Sequence, residues 1–192
     1  MLHRREELKD KNDSVRMVIA SSDEKAMRVF DEDTANTNEL RRTDSIRLIG
    51  SEVILRPWQL EDKQSLIDNA NNYKVAVHLR DQFPFPYTNE DADRWLHFTA
   101  TVNGDENIYL AIELEKEAVG GVSIKFGVDV HRCTAELGYW LGETFWGRGI
   151  SREAVKLIKD YVFDKYARIE RVYAAPFSTN VGSMRVLEKN HF

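Results

Sequence analysis

Two glycines flank an arginine in Phe145-Trp146-Gly147-Arg148-Gly149-Ile150-Ser151, and Arg152-Glu153-Ala154-Val155 follow at once. Glycine lets a backbone turn tightly and leaves its amides uncovered. If a helix starts here, the N–H groups of its first turn lack partners within the helix, and the positive end of the helix dipole lies behind them. Such a turn is an anion site, best suited to phosphate. Arg148 adds a mobile positive charge at the rim. The stretch has neither the third glycine of a dinucleotide fingerprint nor the Gly-Lys-Ser/Thr of a P-loop. A plainer alternative therefore stays open: the glycines only make a turn, and Trp146 belongs to the core. Cys133, the single cysteine, has no histidine placed in sequence to activate it, so a buried or edge-strand role is expected. His3, His78, His97, His131 and His191 show no metal-ligand spacing among themselves or with Cys133, so no metal is expected.

The elements that must hold this turn are legible on both sides. Thr134 to Leu141 reads as a strand leading into it. Ala154, Val155, Ile158, Tyr161 and Val162 recur at helical spacing after it, predicting a helix to about Asp164. Arg171 to Ala175 reads as the next strand, so the unit is a right-handed crossover to a parallel neighbour. Thr179 or Asn180 begins a last helix. Upstream, Ser45 to Ile49 is a lead-in and Glu52 to Arg56 a first strand stopped by Pro57. Asp62 to Asn71 and Tyr73 to Leu79 read as helices, and the prolines of Phe83-Pro84-Phe85-Pro86-Tyr87 require extended chain. Thr88 or Asn89 caps a helix reaching about Thr101, with Glu90 and Asp91 at its positive end. Asn103-Gly104-Asp105 is a turn. Ile108 to Leu114 and Ala118 to Phe126 form a hairpin with its tip at Glu115-Lys116-Glu117, and Asp129 to Arg132 turns the chain into the strand before the glycines. The fold class is α+β with a mixed sheet.

Composition bounds the function. A chain of 192 residues suits one domain, residues 45–192, behind a tail of residues 1–44. The tail is dense in charge of both signs and is expected to be largely disordered, with a transient helix near Asp23 to Phe30. With 31% charged residues and no long apolar run, no membrane span is expected. The net charge of −5 with interleaved signs offers no basic face for nucleic acid. One cysteine and no apolar leader suit a reducing, cytoplasmic setting.

The motifs resemble a known family. Glu136-Leu137-Gly138-Tyr139-Trp140-Leu141, the glycine turn and Glu153-Ala154 are similar to the acetyl-CoA-binding core of GNAT N-acetyltransferases, and the closest branch is the RimJ/RimL-like one. Asn180-Val181-Gly182-Ser183-Met184-Arg185-Val186-Leu187-Glu188-Lys189 resembles that branch's second signature. Ile54-Leu55-Arg56-Pro57 with Glu61-Asp62 resembles its first strand and helix start, so the likeness runs from Ser45 to the last residue.

This resemblance implies the GNAT acyl-CoA N-acyltransferase fold and acetyl-CoA as co-substrate, lying between the strands before and after the glycine turn. It implies backbone pairing of Trp140 and Leu141 with pantetheine amides, and pyrophosphate held by the amides of Gly147, Arg148, Gly149, Ile150 and Ser151. Trp146 stands where many members carry Gln or Arg, and Ser151 replaces a small Gly or Ala. Gly138 and Gly142 are where a bulge could splay the strand. In this family an amine attacks the thioester directly, which requires a neutral amine and a stabilised thiolate. Glu136 is the candidate base, through water, with a salt-bridged surface role as its alternative. The tyrosine acid of many members is replaced by Leu187, so Ser183 is the candidate donor to sulfur and Asn180 a cofactor contact; helix capping is the alternative for both. Phe83 to Tyr87 with Trp95 could line the acceptor site or simply pack.

The expected activity is transfer of acetyl to a primary amine: a protein N-terminus, a polyamine or a small amine. The lack of an acidic cluster argues against a polycation. A non-catalytic acyl-CoA-binding or regulatory domain, and a partner-binding protein working through its tail, are the rival readings. By the resemblance, Glu188-Lys189-Asn190-His191-Phe192 stands where the family runs on into two more strands, with His191 in place of a helix-ending glycine. The corresponding expectation is an incomplete sheet whose edge at Val172 and Tyr173 invites self-association and lowers activity.

Overall fold

A computed structural model describes residues 46–102 and 107–192; the tail of residues 1–44 and the turn at 103–105 lie outside the described residues. The strands are β1 (Leu48–Ile49), β2 (Ile54–Pro57), β3 (Asn107–Leu114), β4 (Glu117–Phe126), β5 (Thr134–Leu141) and β6 (Arg171–Tyr173). They form one sheet in chain order, antiparallel throughout except for the parallel β5–β6 pair. The helices are α1 (Lys63–Ala70), α2 (Tyr73–Ala76), α3 (Asn89–Thr101), α4 (Ile150–Lys165) and α5 (Val181–Glu188). This is the expected α+β architecture with a mixed sheet.

Alternation along the strands divides the interior in two. Leu55, Ile108, Leu110, Ile112 and Ile124 face Ala154, Val155, Ile158 and Val162 of α4 in the larger core. On the opposite face Trp58, Ala111 and Ala118 meet Leu66 and Ala70 of α1 and Ala92 and Leu96 of α3. Helices thus cover both faces, and the sheet between them carries the site.

Local chemistry explains most boundaries. Thr88 caps α3 in a reciprocal capping box with Asp91. The two-residue tip Glu115-Lys116 adopts left-handed φ of 51° and 73°, the twist a tight hairpin requires, and Glu117 joins β4. Arg56, only 3% exposed, donates to Asp62 in a bidentate pair at 2.7 and 2.8 Å and also to Glu113. The hydrogen bonds to Asp62 hold its pKa above its already high ordinary value. The Arg-Pro and Glu-Asp pieces of the first signature are therefore one buried clamp between β2 and the turn before α1.

Four expectations change. The helix predicted over Tyr73 to Leu79 ends at Ala76, because His78 and Leu79 N–H groups bond three residues back, to Val75 and Ala76 carbonyls, and the chain continues as turns. β6 stops at Tyr173 rather than Ala175, ahead of Pro176. The bulge lies at Val119 of β4, left over between Ile112↔Gly120 and Glu113↔Ala118, and not at Gly138, since the β4–β5 register runs unbroken from Gly120↔Leu141 to Phe126↔Ala135. His191 itself adopts the left-handed stop, at φ 62°, with His191 N–H donating to Glu188 O and Phe192 N–H to Leu187 O. That is a Schellman ending without glycine.

Candidate active site

Gly142 leaves β5 directly against α1, where any side chain would collide with Asn69. One 3₁₀ turn, Glu143–Phe145, follows, and Asn72 Nδ2 (2.8 Å) and Lys74 tether Glu143. The glycines then take left-handed φ, 77° at Gly147 and 86° at Gly149. Gly149 is the N-cap of α4 and brings no side-chain acceptor to it. The first helical bond is Glu153 N–H to Gly149 O at 3.0 Å, so the N–H groups of Ile150, Ser151 and Arg152 have no partner within the helix. A Cβ at either glycine would meet nothing within 4 Å, which leaves the turn open in front. Arg148 rests over the Phe145 ring at 5.8 Å, without a carboxylate partner among the described residues. Trp146 is 43% exposed, so it does not belong to the core. Open amides, a helix N-terminus and an uncommitted arginine fit a phosphate-bearing ligand.

Next to this turn the sheet opens. β6 pairs with β5 only from Thr134↔Arg171 to Glu136↔Tyr173, whereas β5 runs on to Leu141. Backbone groups alternate sides along a strand. Gly142 N–H reaches Val119 O on β4 at 2.9 Å and Ser123 Oγ reaches Gly138 O at 3.5 Å, so even positions face β4. Cys133 O accepts from Glu170 and Arg171 on the β6 side, so odd positions face β6. Beyond Glu136 the groups of Leu137, Tyr139 and Leu141 therefore border a gap. Trp140 turns its backbone toward β4 and its ring against Phe83 at 5.6 Å. The Leu141 carbonyl takes the Trp146 indole N–H at 2.8 Å, which ties the glycine turn to the open edge. An extended chain of amides fits this edge.

At the same gap Asn180 caps α5, its Oδ1 accepting from Ser183 N–H at 3.0 Å. Capping is thus what Asn180 does here, as its alternative reading had it. Ser183 Oγ lies 2.7 Å from the Tyr139 hydroxyl, which also donates to Ser183 O at 3.1 Å. Burial pushes the Tyr139 pKa up, the Ser183 hydrogen bond offsetting part of it, so the phenol keeps its proton. Leu187 is buried and cannot serve as an acid. Sequence reasoning passed over Tyr139, although odd-position alternation from Leu137 to Leu141 was the available signal. Glu136 projects from the opposite face and accepts an ion pair from Arg80. Its side chain is 20% exposed, so the carboxylate is neither fully solvated nor fully buried.

A cavity of about 660 Å³ joins these groups. Trp58, Phe83, Tyr87, Trp95 and Trp140 line it from the α1/α3 side, and Asn180 and Ser183 from the α5 side. It therefore passes through the plane of the sheet beside Gly138, where a side chain would approach Ser123 Oγ to 2.8 Å. Two reactants can enter from opposite faces and meet at the open edge of β5. Cys133 is outside this lining, and among the described residues no cluster of His, Cys, Asp or Glu could hold a metal. No helix among the described residues is long and apolar enough to cross a membrane.

Comparison with known proteins agrees with this geometry. A family model described as acetyltransferase (GNAT) domain matches residues 52–192. The Bacillus subtilis protein described as "Probable N-acetyltransferase YjcK" is 29% identical over 153 residues, covering 76% of this chain and 82% of its own. Among solved structures, RimL, the ribosomal L7/L12 alpha-N-protein acetyltransferase in complex with coenzyme A, superposes with a TM-score of 0.66 at 19% identity, covering 77% of this chain and 84% of RimL. Mycobacterium smegmatis RimJ with CoA-disulfide gives 0.60 at 23% identity, covering 71% and 68%. The matched span takes in the glycine turn, the open strand edge and Ser183 together, so the chain belongs to the GNAT family and is an acetyl-CoA-dependent acetyltransferase.

Proposed function

We propose that the chain transfers acetyl from acetyl-CoA to a primary amine, on a protein N-terminus or a small molecule, by direct attack within a ternary complex. The observation that carries this is the cavity through the sheet, which joins the α5 side, where Tyr139 and Ser183 meet, to an aromatic-lined side at the unpaired edge of β5. Acetyl-CoA supplies the activated acyl group. The amides of Gly147, Arg148, Gly149, Ile150 and Ser151 hold its pyrophosphate in this reading. Leu141 with Tyr139, rather than Trp140, offers backbone to its amide chain, and Asn180 fixes the first turn of α5 below it. Trp146 braces the turn by holding the Leu141 carbonyl.

Glu136 draws a proton from the incoming amine, through water, while Arg80 keeps the carboxylate in place. Ser183 donates a hydrogen bond to the departing sulfur. As Ser183 turns its proton there, the Tyr139 hydroxyl turns from the Ser183 carbonyl to Ser183 Oγ and polarises it. Charge on sulfur is then stabilised without a buried ion on either hydroxyl. RimL, of the same fold, is described as an alpha-N-protein acetyltransferase, which favours an α-amine as acceptor. With its single cysteine the chain suits a reducing cytosol.

One observation favours the second reading, cofactor binding without turnover: Glu136 is already engaged by Arg80. Thiol release from acetyl-CoA across a panel of amines and peptides decides. Release that depends on an amine supports transfer; binding of acetyl-CoA with no release on any acceptor supports the second reading.

A further inference from the structure

The acceptor side of the cavity has a chemical character that the proposed transfer leaves unspecified. Aromatic rings dominate its wall: Trp58, Phe83, Trp95, Phe98, Tyr109 and Trp140. Several meet edge to face, Trp58 on Trp95 at 6.3 Å and Trp95 on Tyr109 at 5.4 Å, so the wall is a fixed apolar box. Three polar atoms of the lining residues, Trp58 Nε1, His78 Nδ1 and Trp95 Nε1, are buried without a partner among the described residues.

Charge narrows the choice. The lining carboxylates are Asp91 and Glu136. Asp91 is taken up by Thr88 and Arg94, and the Thr88 hydrogen bonds hold its pKa below the ordinary range. Glu136 is taken up by Arg80. Lys125, also on the wall, has no ion pair among the described residues. No uncommitted carboxylate remains to receive a second cationic group. Proton removal by a carboxylate is limited for the same reason, because Glu136 is already paired; His78 is the imidazole on the wall, with its Nδ1 buried and without a partner among the described residues. An alkyl amine with a pKa near that of lysine is neutral in only about one molecule in two thousand at pH 7, whereas an α-amine is neutral in about a tenth. This site therefore suits an amine that ionises weakly.

Resting on the acetyl-transfer reading, we infer that the acceptor is an aromatic α-amino acyl compound: an α-amine beside a carbonyl, with a planar ring as side chain. The ring enters the aromatic box, the carbonyl keeps the amine weakly basic, and the α-amine reaches the β5 edge with little demand on Glu136. A free amino-acid derivative and an aromatic N-terminal residue of a peptide share this chemistry.

The test uses the full 192-residue chain with acetyl-CoA and measures thiol release. The probes are phenylalaninamide, a heptapeptide with N-terminal Phe, alaninamide (same amine, no ring), phenethylamine (same ring, strongly basic amine) and spermidine. Phenylalaninamide or the Phe peptide should exceed alaninamide, phenethylamine and spermidine by tenfold or more in kcat/KM, and the better of the two identifies the source. Equal or better use of alaninamide, phenethylamine or spermidine overturns the inference. Phe98→Ala removes a ring that is 44% exposed and should raise KM for phenylalaninamide roughly tenfold, leaving the KM for acetyl-CoA in place. Trp95→Leu should do the same, and Phe98→Ala reads the outcome alone if that variant does not fold. If no probe is acetylated, calorimetry on the CoA-saturated protein decides: tighter binding of phenylalaninamide than of alaninamide supports the inference, and equal or absent binding overturns it. Failure of the wider reading is distinct, because it appears as absence of acetyl-CoA binding in a separate titration.

Discussion

Ser183→Ala separates catalysis from architecture. The hydroxyl it removes lies 2.7 Å from the Tyr139 hydroxyl, but Tyr139 also donates to the residue 183 carbonyl at 3.1 Å, and that carbonyl survives the substitution. The buried phenol therefore keeps a partner, and the fold should lose less than about 1 kcal/mol. Asn180 still caps α5, because its acceptor bond is to the backbone N–H of residue 183. Catalysis should respond quite differently. One donor aimed at developing charge is worth about a hundredfold in kcat, or roughly 2.7 kcal/mol in the barrier. Tyr139→Phe keeps Ser183 but removes its polarising partner, and should cost about tenfold. Because Tyr139 acts through Ser183, the double variant should be no slower than Ser183→Ala alone. Burial raises the Tyr139 pKa above the ordinary tyrosine value, so no loss of kcat at moderately alkaline pH should trace to it. Steady-state kinetics for both substrates, with a thermal melt for each variant, make the measurement. Multiplying losses in the double variant would refute the relay. A Ser183→Ala effect confined to the KM of acetyl-CoA would make the residue a binding contact.

Gly149→Val imposes a β-branched residue on φ of 86° where no neighbour blocks it, so strain of about 1–2 kcal/mol, rather than a clash, should lower the melting temperature. In the same variant calorimetry should find acetyl-CoA binding weakened by tenfold or more; unchanged affinity would remove the phosphate role of the turn. Asp62→Ala leaves buried Arg56 with the Pro57 carbonyl and a single carboxylate, Glu113, among the described residues, and urea unfolding should record a loss of about 3 kcal/mol. For Glu153, burial raises the carboxyl pKa, but hydrogen bonds from the Ser51 hydroxyl and the N–H groups of Ser51, Glu52 and Val53 outweigh it and hold the pKa below the usual range. A depressed carboxylate stabilises fully above its unfolded pKa of about 4.3 and loses that contribution as pH falls through the folded value. Glu153→Gln should thus lower the melting temperature at pH 7, and the difference from wild type should shrink below pH 4. His191→Gly relieves the left-handed stop at φ 62° and should stabilise the chain by about 0.5–1 kcal/mol in the same melts.

Legibility follows the distance over which a signal acts. Thr88 and Asp91 form their capping box within one turn, so the start of α3 could be read directly, and the bounds of β5 from Thr134 to Leu141 follow from alternation and the glycine after it. The parallel crossover from β5 through α4 to β6 was likewise expected, since chirality leaves one way back to the sheet. The site behaves differently because its partners are remote. Arg80 reaches Glu136 across 56 positions and Tyr139 reaches Ser183 across 44, and no periodicity in either segment marks the meeting. The backbone of β5 is instructive in another way. Which residues face the gap depends on parity, and parity is set by the register against β4, which runs from Gly120↔Leu141 to Phe126↔Ala135. A shift of one residue would have turned Trp140 to the gap and Tyr139 away from Ser183. The motif Gly138-Tyr139-Trp140-Leu141 thus carries two jobs in alternate positions: odd residues supply the open edge and the hydroxyl, while Trp140 supplies part of the aromatic wall of the cavity. Gly138, set between them and flush against Ser123, keeps the passage from one face to the other clear.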